Sequence, residues 1–404
     1  MRISLLLERE PFPSILEETL SRFWSHHFGQ GITVRWQNGR SLNHTQGQTW
    51  LVNAYLNAIF VPDAQPTVFD PIRREFSRSP VWWKRPLQAV YVQTALSRST
   101  AQWLAQAYLS VSPSVPQAQA QLVIAGNHKI RWLDRHEGKV YGIRKTGFHD
   151  QFMRQEIEAR QQATACGVSV PALLSADEES YSWFCEQLVS GTPINRLTDQ
   201  QQANAAVQQV YTALTNLYAQ TETQMSIGEY AAMLQQRILA LVDSHHLLTE
   251  GEKTIVRQQV AQLGERLDAV TAPVTLALTH GDFQPANILL NEAGVWLIDW
   301  EYAAQRQIGY DALVYHCAAR FPAGLAQRVQ RFVTAGLSRS LPGTVLWPTE
   351  AARQHSATLF MLEETLFQLT QINQPIFITA GAGWIGWKQV MTQWTTILWE
   401  QPVG

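Results

Sequence analysis

ALTHGDFQPANILLNEAGVWLIDWEY, residues 277–302, is the segment around which the chain is organised. Within it, two short apolar runs, 288–290 and 295–298, are separated by residues that include asparagine and glycine. β-favouring runs on either side of such turn residues predict a β-hairpin. The outer ends of two antiparallel strands lie side by side, so the hairpin is expected to hold Asn287, at its start, close to Asp299, at its end.

These two side chains predict a metal site. Asn287 offers a carboxamide oxygen and Asp299 a carboxylate. Mg²⁺ prefers oxygen ligands and usually takes few of them from protein, leaving the other positions to phosphates and water. We therefore expect Asn287 and Asp299 to bind Mg²⁺.

The same segment contains His280, Asp282 and Asn287 in the order H-x-D-x-x-x-x-N, and its second strand ends on Asp299. In these features it resembles the aminoglycoside phosphotransferases and choline kinases, a branch of the protein-kinase-like fold whose motif H-G-D-x-x-x-x-N precedes a strand ending in Ile-Asp. The resemblance implies that Asp282 is catalytic and accepts the proton of an attacking hydroxyl, as the catalytic-loop aspartate of kinases does. It also implies that Asp311 steadies the site.

The chain departs from the pattern of protein kinases after Asp299. It reads Trp300-Glu301 where those enzymes have Phe-Gly, which is normal in the branch that it resembles. No A-P-E-like segment follows, and a helical pattern covers 199–270. These features favour a small-molecule phosphotransferase over a protein kinase.

The resemblance implies an α+β architecture with the bilobal protein-kinase-like fold. A small β-rich N-lobe is expected over 119–189, and a large helical C-lobe with an acceptor subdomain over 190–404. An N-terminal α/β extension of unassigned function, 1–118, precedes them. Residues 110–120 contain prolines, serines and glutamines, which predict a linker.

Within the extension, apolar runs at 3–7 and 32–36 predict strands, and apolar spacing over 13–28 predicts a helix. Segment 71–86 carries two tryptophans and a group of basic residues, Arg73, Arg74, Arg78, Lys84 and Arg85. Such a segment predicts peripheral contact with an anionic membrane or a glycolipid. The alternative is a solvated helix face with its tryptophans packed inward.

Alternating apolar runs at 122–125, 129–133 and 140–145 predict the first strands of the N-lobe. In the family that the chain resembles, the turn between the first strands covers the nucleotide phosphates with backbone N–H groups. This makes Gly126 a candidate phosphate contact. Because the turn has a single glycine, an ordinary hairpin turn is the alternative.

The third of these strands is expected to end in a cation that binds the α and β phosphates. Arg144 and Lys145 are adjacent candidates. Strand alternation puts Ile143 on one face and Gly142 with Arg144 on the other, which favours Arg144. A register shift of one residue favours Lys145, so both stay candidates.

The resemblance implies two further nucleotide contacts. A glutamate on the following helix is expected to hold the strand cation, and its position favours Glu156 over Glu158. Both would otherwise be solvent-facing helix charges. Segment 181–189 resembles the strand that joins the two lobes, where the adenine edge pairs with the backbone of Glu186 and Leu188.

Aromatic and acidic residues near the C-terminus bear on the acceptor. The tail contains Trp384, Trp387, Trp394 and Trp399. Aromatic rings stack on sugar faces, which favours a glycan acceptor, while core packing is the more usual role of such residues. Glu363 and Glu364 are candidates to contact a cationic acceptor, with a solvated helix face as the alternative.

The composition restricts the class of protein. Of the 404 residues, 46% are hydrophobic and only 16% are charged, which is typical of an ordered globular protein. A net charge of -2 and the absence of a basic tail predict that nucleic acid is not a partner. The three cysteines form no C-x-x-C pair, and no apolar run resembles a signal peptide or a membrane span. We therefore expect a cytoplasmic protein.

Together these features predict a phosphotransferase that uses ATP (or GTP) and Mg²⁺ and acts on a hydroxyl of a small molecule or glycan. The alternative is a nucleotide-binding pseudokinase scaffold without turnover. The single-glycine turn and the ambiguous strand cation favour the scaffold. The complete set of Asp282, Asn287 and Asp299 opposes it.

Overall fold

A computed structural model of the chain describes residues 2–39, 47–76, 82–337, 343 and 346–399. The chain forms two compact units. The first contains Met1–Ile157 and Pro171–Ser190, and the second contains Glu158–Val170 and Gly191–Gly404.

In the described residues, the first unit is built on a nine-stranded antiparallel sheet. Its strands are β1 (Thr33–Asn38), β2 (Gln48–Asn53), β3 (Ala58–Phe60), β4 (Ala107–Ser112), β5 (Gln121–Ala125), β6 (Lys129–Asp134), β7 (Lys139–Arg144), β8 (Leu173–Ala176) and β9 (Trp183–Gln187). They lie in the order β1-β4-β2-β3-β5-β6-β7-β9-β8, and β3 joins β5 where Ile59 pairs with Val123. Strands of the predicted extension and of the predicted N-lobe therefore share one sheet, and the compact unit continues across residue 118.

The helices of the first unit are α1 (Ile3–Arg9), α2 (Phe12–Phe28), α3 (Asp70–Phe76), α4 (Arg85–Ala95), α5 (Ala101–Leu104) and the first part of α6 (Gln151–Ala165). The helix predicted over 13–28 is confirmed by α2. Trp24 of α2 is fully buried and packs against Trp50 of β2 and Trp132 of β6. The core of the unit therefore draws on both the extension and the predicted N-lobe.

The strand predicted over 3–7 is wrong, because this segment begins helix α1. Ile3 and Leu6 are fully buried, whereas Leu5 and Leu7 are 48% and 40% exposed. Burial at a spacing of three residues is the period of a helix face, and a half-buried strand would have alternated. The apolar run was too short to distinguish the two periods.

The second unit is mainly helical. Its helices, after the last part of α6, are α7 (Gln200–Thr221), α8 (Ile227–Ser244), α9 (Glu250–Glu265), α10 (Tyr310–His316), α11 (Leu325–Ala335), α12 (Glu350–Ile372) and α13 (Gly381–Trp399). Two small sheets are seen in the described part of the unit, in the orders β10-β13-β14 and β11-β12-β15. Their strands are β10 (Thr192–Pro193), β11 (Thr223–Ser226), β12 (Pro273–Thr279), β13 (Ile288–Asn291), β14 (Gly294–Leu297) and β15 (Ala304–Gln307).

The predicted hairpin is confirmed, since β13 and β14 pair antiparallel with Ile288 opposite Leu297. Core packing is also confirmed for Trp384, Trp387 and Trp394, which are at most 2% exposed. The side chain of Trp399 lies outside the described residues. None of the described helices combines the length and the apolar character needed to cross a lipid bilayer.

Candidate active site

His280 braces the loop that carries Asp282. Its ring is fully buried, and its Nε2 donates a hydrogen bond to the Ile298 carbonyl at 3.0 Å. Its Nδ1 accepts from the backbone N–H of Asp282 at 3.2 Å. Burial lowers the pKa of His280, which keeps the ring neutral and leaves Nδ1 free to accept. His280 therefore fixes the start of the loop against the end of the hairpin.

The carboxylate of Asp282 is held by neighbouring amides. The Nδ2 of Asn287 donates to Oδ2 at 2.7 Å and also to the main-chain oxygen of Asp282 at 2.9 Å. The Nε2 of Gln284 donates to the same Oδ2 at 2.8 Å. These bonds fix the orientation of the carboxylate. Asp282 as a whole is 6% exposed.

Asp311 holds the backbone of this loop through hydrogen bonds to its N–H groups. Its carboxylate accepts from the backbone N–H groups of His280 at 2.8 Å and of Gly281 at 2.9 Å. The hydroxyl of Tyr218 on α7 donates to it at 2.7 Å. At Gly281, φ is +82°, and a Cβ atom would lie 2.0 Å from the Tyr302 oxygen, so only glycine fits there.

The hairpin brings Asn287 next to the end of β14. The N–H of Ile298 donates to the main-chain oxygen of Asn287 at 3.0 Å, and Asp299 follows directly. Asp299 adopts a φ of 70°, a left-handed conformation that non-glycine residues seldom take and that is enriched at functional sites. Because Nδ2 of Asn287 is engaged with Asp282, Oδ1 is the atom that it offers to a cation. An amide oxygen and a carboxylate form a donor set that fits Mg²⁺.

Arg320 contacts the same carboxylate and was missed in the sequence. Its Nε donates to Oδ1 of Asp282 at 2.6 Å, and its Nη1 donates to both carboxylate oxygens of Glu364 at 3.1 and 2.9 Å. Its Nη2 donates to the Gly281 oxygen, and the guanidinium lies 4.3 Å from the centre of the Phe367 ring. The only sequence signal was Glu364 itself, since an acid within an apolar helix usually has a buried partner.

The two acidic residues of α12 do not face an acceptor. Glu363 is 2% exposed and Glu364 is fully buried, so neither the acceptor role nor the solvated-face alternative is correct. Glu363 accepts from the Tyr230 hydroxyl at 2.7 Å and from the backbone and side-chain nitrogens of Gln307 at 2.9 and 2.8 Å. Burial raises the pKa of Glu363 to about 7.

In the first unit, Glu156 is buried and its carboxylate is paired with Lys129 on β6. The expectation that Glu156 holds a cation of β7 is therefore wrong. Lys129 lies opposite Arg144 in the register of β6 and β7, and opposed residues project from the same face of a sheet. The alternative glutamate, Glu158, is exposed.

Arg144 remains a candidate phosphate ligand. It projects from the same face as Gly142, where a Cβ would lie 2.4 Å from the Phe184 ring. The residue is half-buried, and its guanidinium makes no ion pair or hydrogen bond within the described part of the chain. The Arg144 guanidinium therefore has donors available for a ligand.

Lys145 faces the other side of the sheet and has a structural role. Its side chain is fully buried, and its Nζ pairs with Glu10 at 2.6 Å and donates to the Asn127 oxygen at 3.1 Å. Arg9 pairs with Glu10 at 2.8 Å and donates to Oδ1 of Asn127 at 3.2 Å. This buried network ties helix α1 to the turn after β5, so Lys145 is a poor candidate for the phosphate cation.

The turn at Gly126 is closed on itself. The N–H of Gly126 donates to the Lys129 oxygen at 2.9 Å. The geometry therefore supports the ordinary hairpin turn over a phosphate contact through this N–H.

The expected adenine contact at Leu188 also needs correction. Its N–H donates to the Gly138 oxygen at 2.8 Å and is not available to a base. The next N–H along the chain, that of Val189, donates to none of the described residues. Glu186 lies within β9, opposite Val140 of β7, and its contact stays a prediction.

A comparison with protein-family models matches residues 144–345, which is half of the chain, to the phosphotransferase enzyme family. The chain belongs to this family. No curated protein matches this phosphotransferase in a comparison of the whole chain.

Solved structures similar to this phosphotransferase have low sequence identity. A choline/ethanolamine kinase family protein from Mesorhizobium loti is 18% identical, with a TM-score of 0.44, over 70% of this chain and 88% of that one. An aminoglycoside phosphotransferase in ternary complex with ADP and hygromycin B is 15% identical, with a TM-score of 0.44, over 70% and 94%. Choline kinase LicA from Streptococcus pneumoniae is 14% identical, with a TM-score of 0.41, over 70% and 92%.

Family membership confirms the resemblance seen in the sequence. The sheets and helices described above confirm the expected α+β class. This protein is a phosphotransferase. Two charged residues that reach the predicted site residues were not found from the sequence, Lys129 and Arg320. Each pairs with a glutamate or aspartate more than twenty residues away, so no local spacing indicates the pair.

Proposed function

We propose that this phosphotransferase transfers the terminal phosphoryl group of ATP (or GTP) to a hydroxyl of a small molecule or glycan, and that Asp282 accepts the proton of that hydroxyl. The observation that supports the proposal is the number of hydrogen bonds that the Asp282 carboxylate already accepts. An ionised carboxylate has about four acceptor positions. Side-chain donors from Gln284, Asn287 and Arg320 occupy three of them. The described residues thus leave one position for a substrate hydroxyl.

Asn287 and Asp299 would hold Mg²⁺, through Oδ1 of the amide and the carboxylate. Bound Mg²⁺ neutralises charge on the transferring phosphates. The chain's own contribution is to fix both ligands. Asn287 is held by its bonds to Asp282. Asp299 directly follows Ile298, whose N–H donates to the main-chain oxygen of Asn287 and so fixes the end of the hairpin strand.

Arg144 is the proposed phosphate ligand of the first unit, and Lys129 is a second candidate beside it. Both project from the same face of the sheet, and Glu156 fixes the ammonium group of Lys129. An ammonium held in place by a buried carboxylate loses little freedom when a phosphate binds. The adenine edge is assigned to the backbone of Glu186 and Val189.

A cytoplasmic location is part of the proposal. ATP and Mg²⁺ are available there, and Cys166, Cys185 and Cys317 are free thiols, as a reducing compartment requires.

The proposal is tested by screening sugars, amino alcohols and aminoglycosides for phosphorylation, with ATP and with GTP, in the presence and absence of Mg²⁺. We expect Mg²⁺-dependent transfer to at least one hydroxyl acceptor, and loss of transfer in the Asp299→Asn variant. Nucleotide binding without transfer to any acceptor, and without slow nucleotide hydrolysis, would instead support the pseudokinase scaffold.

A further inference from the structure

An apolar stripe lies on the exposed side of helix α4 and the turn before it. Trp83, Leu87 and Val90 follow one another at the spacing of a helix face, yet they are 53%, 66% and 65% exposed. Trp82 beside them is 77% exposed. These four side chains, here called the α4 stripe, are large apolar groups left in solvent.

The stripe is not needed to attach α4 to the core of the first unit. The helix already buries Val92 and Ala95, which are 2% and 0% exposed and belong to the core of the first unit. A helix with one apolar face in the core and a second one in solvent has spare apolar surface. Contiguous exposed apolar groups of this kind usually mark an interaction site.

Basic residues surround the stripe. Lys84 and Arg85 lie within it in sequence and are exposed, and the Lys84 ammonium lies 5.0 Å from the centre of the Trp83 ring. Helix α3, which packs against α4, adds Arg73 and Arg74. Arg78 lies outside the described residues. Helix α3 also carries Asp70, which pairs with Arg73 at 3.8 Å, and Glu75, so its charges balance and the net positive charge of this surface comes from Lys84 and Arg85.

The exposed area is small for a protein partner. Four partly exposed side chains of this size present on the order of 500 Å². A stable protein interface buries about 800 Å² on each side. Tryptophan beside lysine and arginine, on a short amphipathic helix, is instead the composition of segments that lie in the headgroup region of an anionic bilayer.

We propose that the α4 stripe, with Lys84 and Arg85, docks this phosphotransferase on an anionic lipid surface. The tryptophans and Leu87 enter the interface between headgroups and acyl chains. The two cations contact lipid phosphates. The membrane contact predicted from segment 71–86 is thereby assigned to the exposed face of α4 and the turn before it. This proposal does not depend on which acceptor the enzyme phosphorylates.

The test is co-sedimentation of the full chain with vesicles of phosphatidylcholine alone and of phosphatidylcholine mixed with phosphatidylglycerol in equal parts. We expect binding to the anionic vesicles at least about tenfold tighter than to the neutral ones, since each basic residue near such a surface contributes about fivefold. Binding should weaken as salt is added. Tryptophan fluorescence should shift to shorter wavelength on binding.

Variants locate the contact. Trp83→Ser combined with Leu87→Ser should lose vesicle binding, and Lys84→Gln combined with Arg85→Gln should lose the preference for anionic lipid. The matched control is Leu174→Ser, which changes a residue 51% exposed on β8, at the far edge of the same sheet, and should bind as the wild type does. All variants should unfold at the wild-type temperature, because the altered side chains are solvent-exposed.

The proposal is overturned if the wild type binds neither vesicle, or if the Trp83 and Leu87 variant binds as tightly as Leu174→Ser. A concentration-dependent dimer that the stripe variant abolishes would assign the surface to a second copy of the chain instead. Retention of nucleotide hydrolysis in the stripe variant separates failure of docking from failure of the catalytic proposal.

Discussion

The side-chain amide of Asn287 lies 2.7 Å from the carboxylate of Asp282 and donates a hydrogen bond to it. The proposed base and a proposed metal ligand are thus joined directly. Asn287 cannot change its orientation without releasing Asp282. Binding of a cation to the amide oxygen and orientation of the base are therefore coupled.

Replacing Asn287 by alanine should disturb both roles. We expect turnover to fall by about 10²-fold or more, because the base loses its orientation and Mg²⁺ loses a ligand. The Mg²⁺ concentration needed for half-maximal rate should rise. Gln284→Ala is the matched control, since it removes one donor to the same Oδ2 without touching the metal set. An equal rise in Mg²⁺ requirement in both variants would contradict the assignment.

Arg320 is expected to position Asp282 through charge. Arg320→Met leaves Glu364 buried without its cation, which should lower the free energy of unfolding by about 3 kcal/mol or more. Combining it with Glu364→Gln should restore part of the stability but not the turnover, since Asp282 still lacks its donor. Urea unfolding and steady-state kinetics separate the two effects.

The control for Arg320 is Arg328→Lys. Arg328 also bonds to main-chain oxygens in this region, those of Cys317 and Ala323 among them, but makes no contact with Asp282. Its replacement should affect stability alone. If the Arg320 and Glu364 double variant recovered full turnover, Arg320 would have only a structural role.

The two adjacent basic residues at the end of β7 should behave oppositely. Arg144→Met should raise the KM for nucleotide about tenfold or more with little loss of stability, because a solvent-accessible phosphate ligand is removed. Lys145→Met should destabilise the fold by about 3 kcal/mol, because Glu10 is left buried without one of its cations. Nucleotide titration and urea unfolding of both variants provide the measurement, and exchanged outcomes would restore Lys145 as the phosphate ligand.

Glu363 should make stability depend on pH. Its pKa is about 7 in the folded chain against 4.5 for the free side chain, so the folded state retains a proton that the unfolded state releases between these values. The free energy of unfolding from this group therefore falls as pH rises from about 4.5 to 7, by roughly 3 kcal/mol at most. Glu363→Gln should flatten this slope, while the exposed Glu292→Gln should leave it unchanged. An unchanged slope in Glu363→Gln would contradict the shift.

The spacing of residues close together in the sequence was sufficient to predict the hairpin and the loop before it. His280, Asp282 and Asn287 lie within eight residues, so their spacing alone constrains where the chain places them. Asp311 was recovered through the family resemblance, and its bonds to the loop are seen in the structure.

Pairing across the chain could not be predicted in the same way. Lys129 begins β6 and Arg144 ends β7, and the two lie opposite each other in the register. Only the observed ion pair shows that it is Lys129 that meets Glu156. Arg320 reaches Asp282 across 38 positions of sequence. The five-residue run at 3–7 was likewise too short to show whether its buried residues repeat with the period of a helix or of a strand.

The central claim is that Asp282 accepts the proton of the acceptor hydroxyl. The most direct measurement is the single-turnover rate of phosphoryl transfer in Asp282→Asn, beside calorimetric titration of the same variant with nucleotide and Mg²⁺. We predict wild-type nucleotide affinity and a rate lower by about 10²- to 10⁴-fold. A variant that transfers phosphate at the wild-type rate would contradict the account.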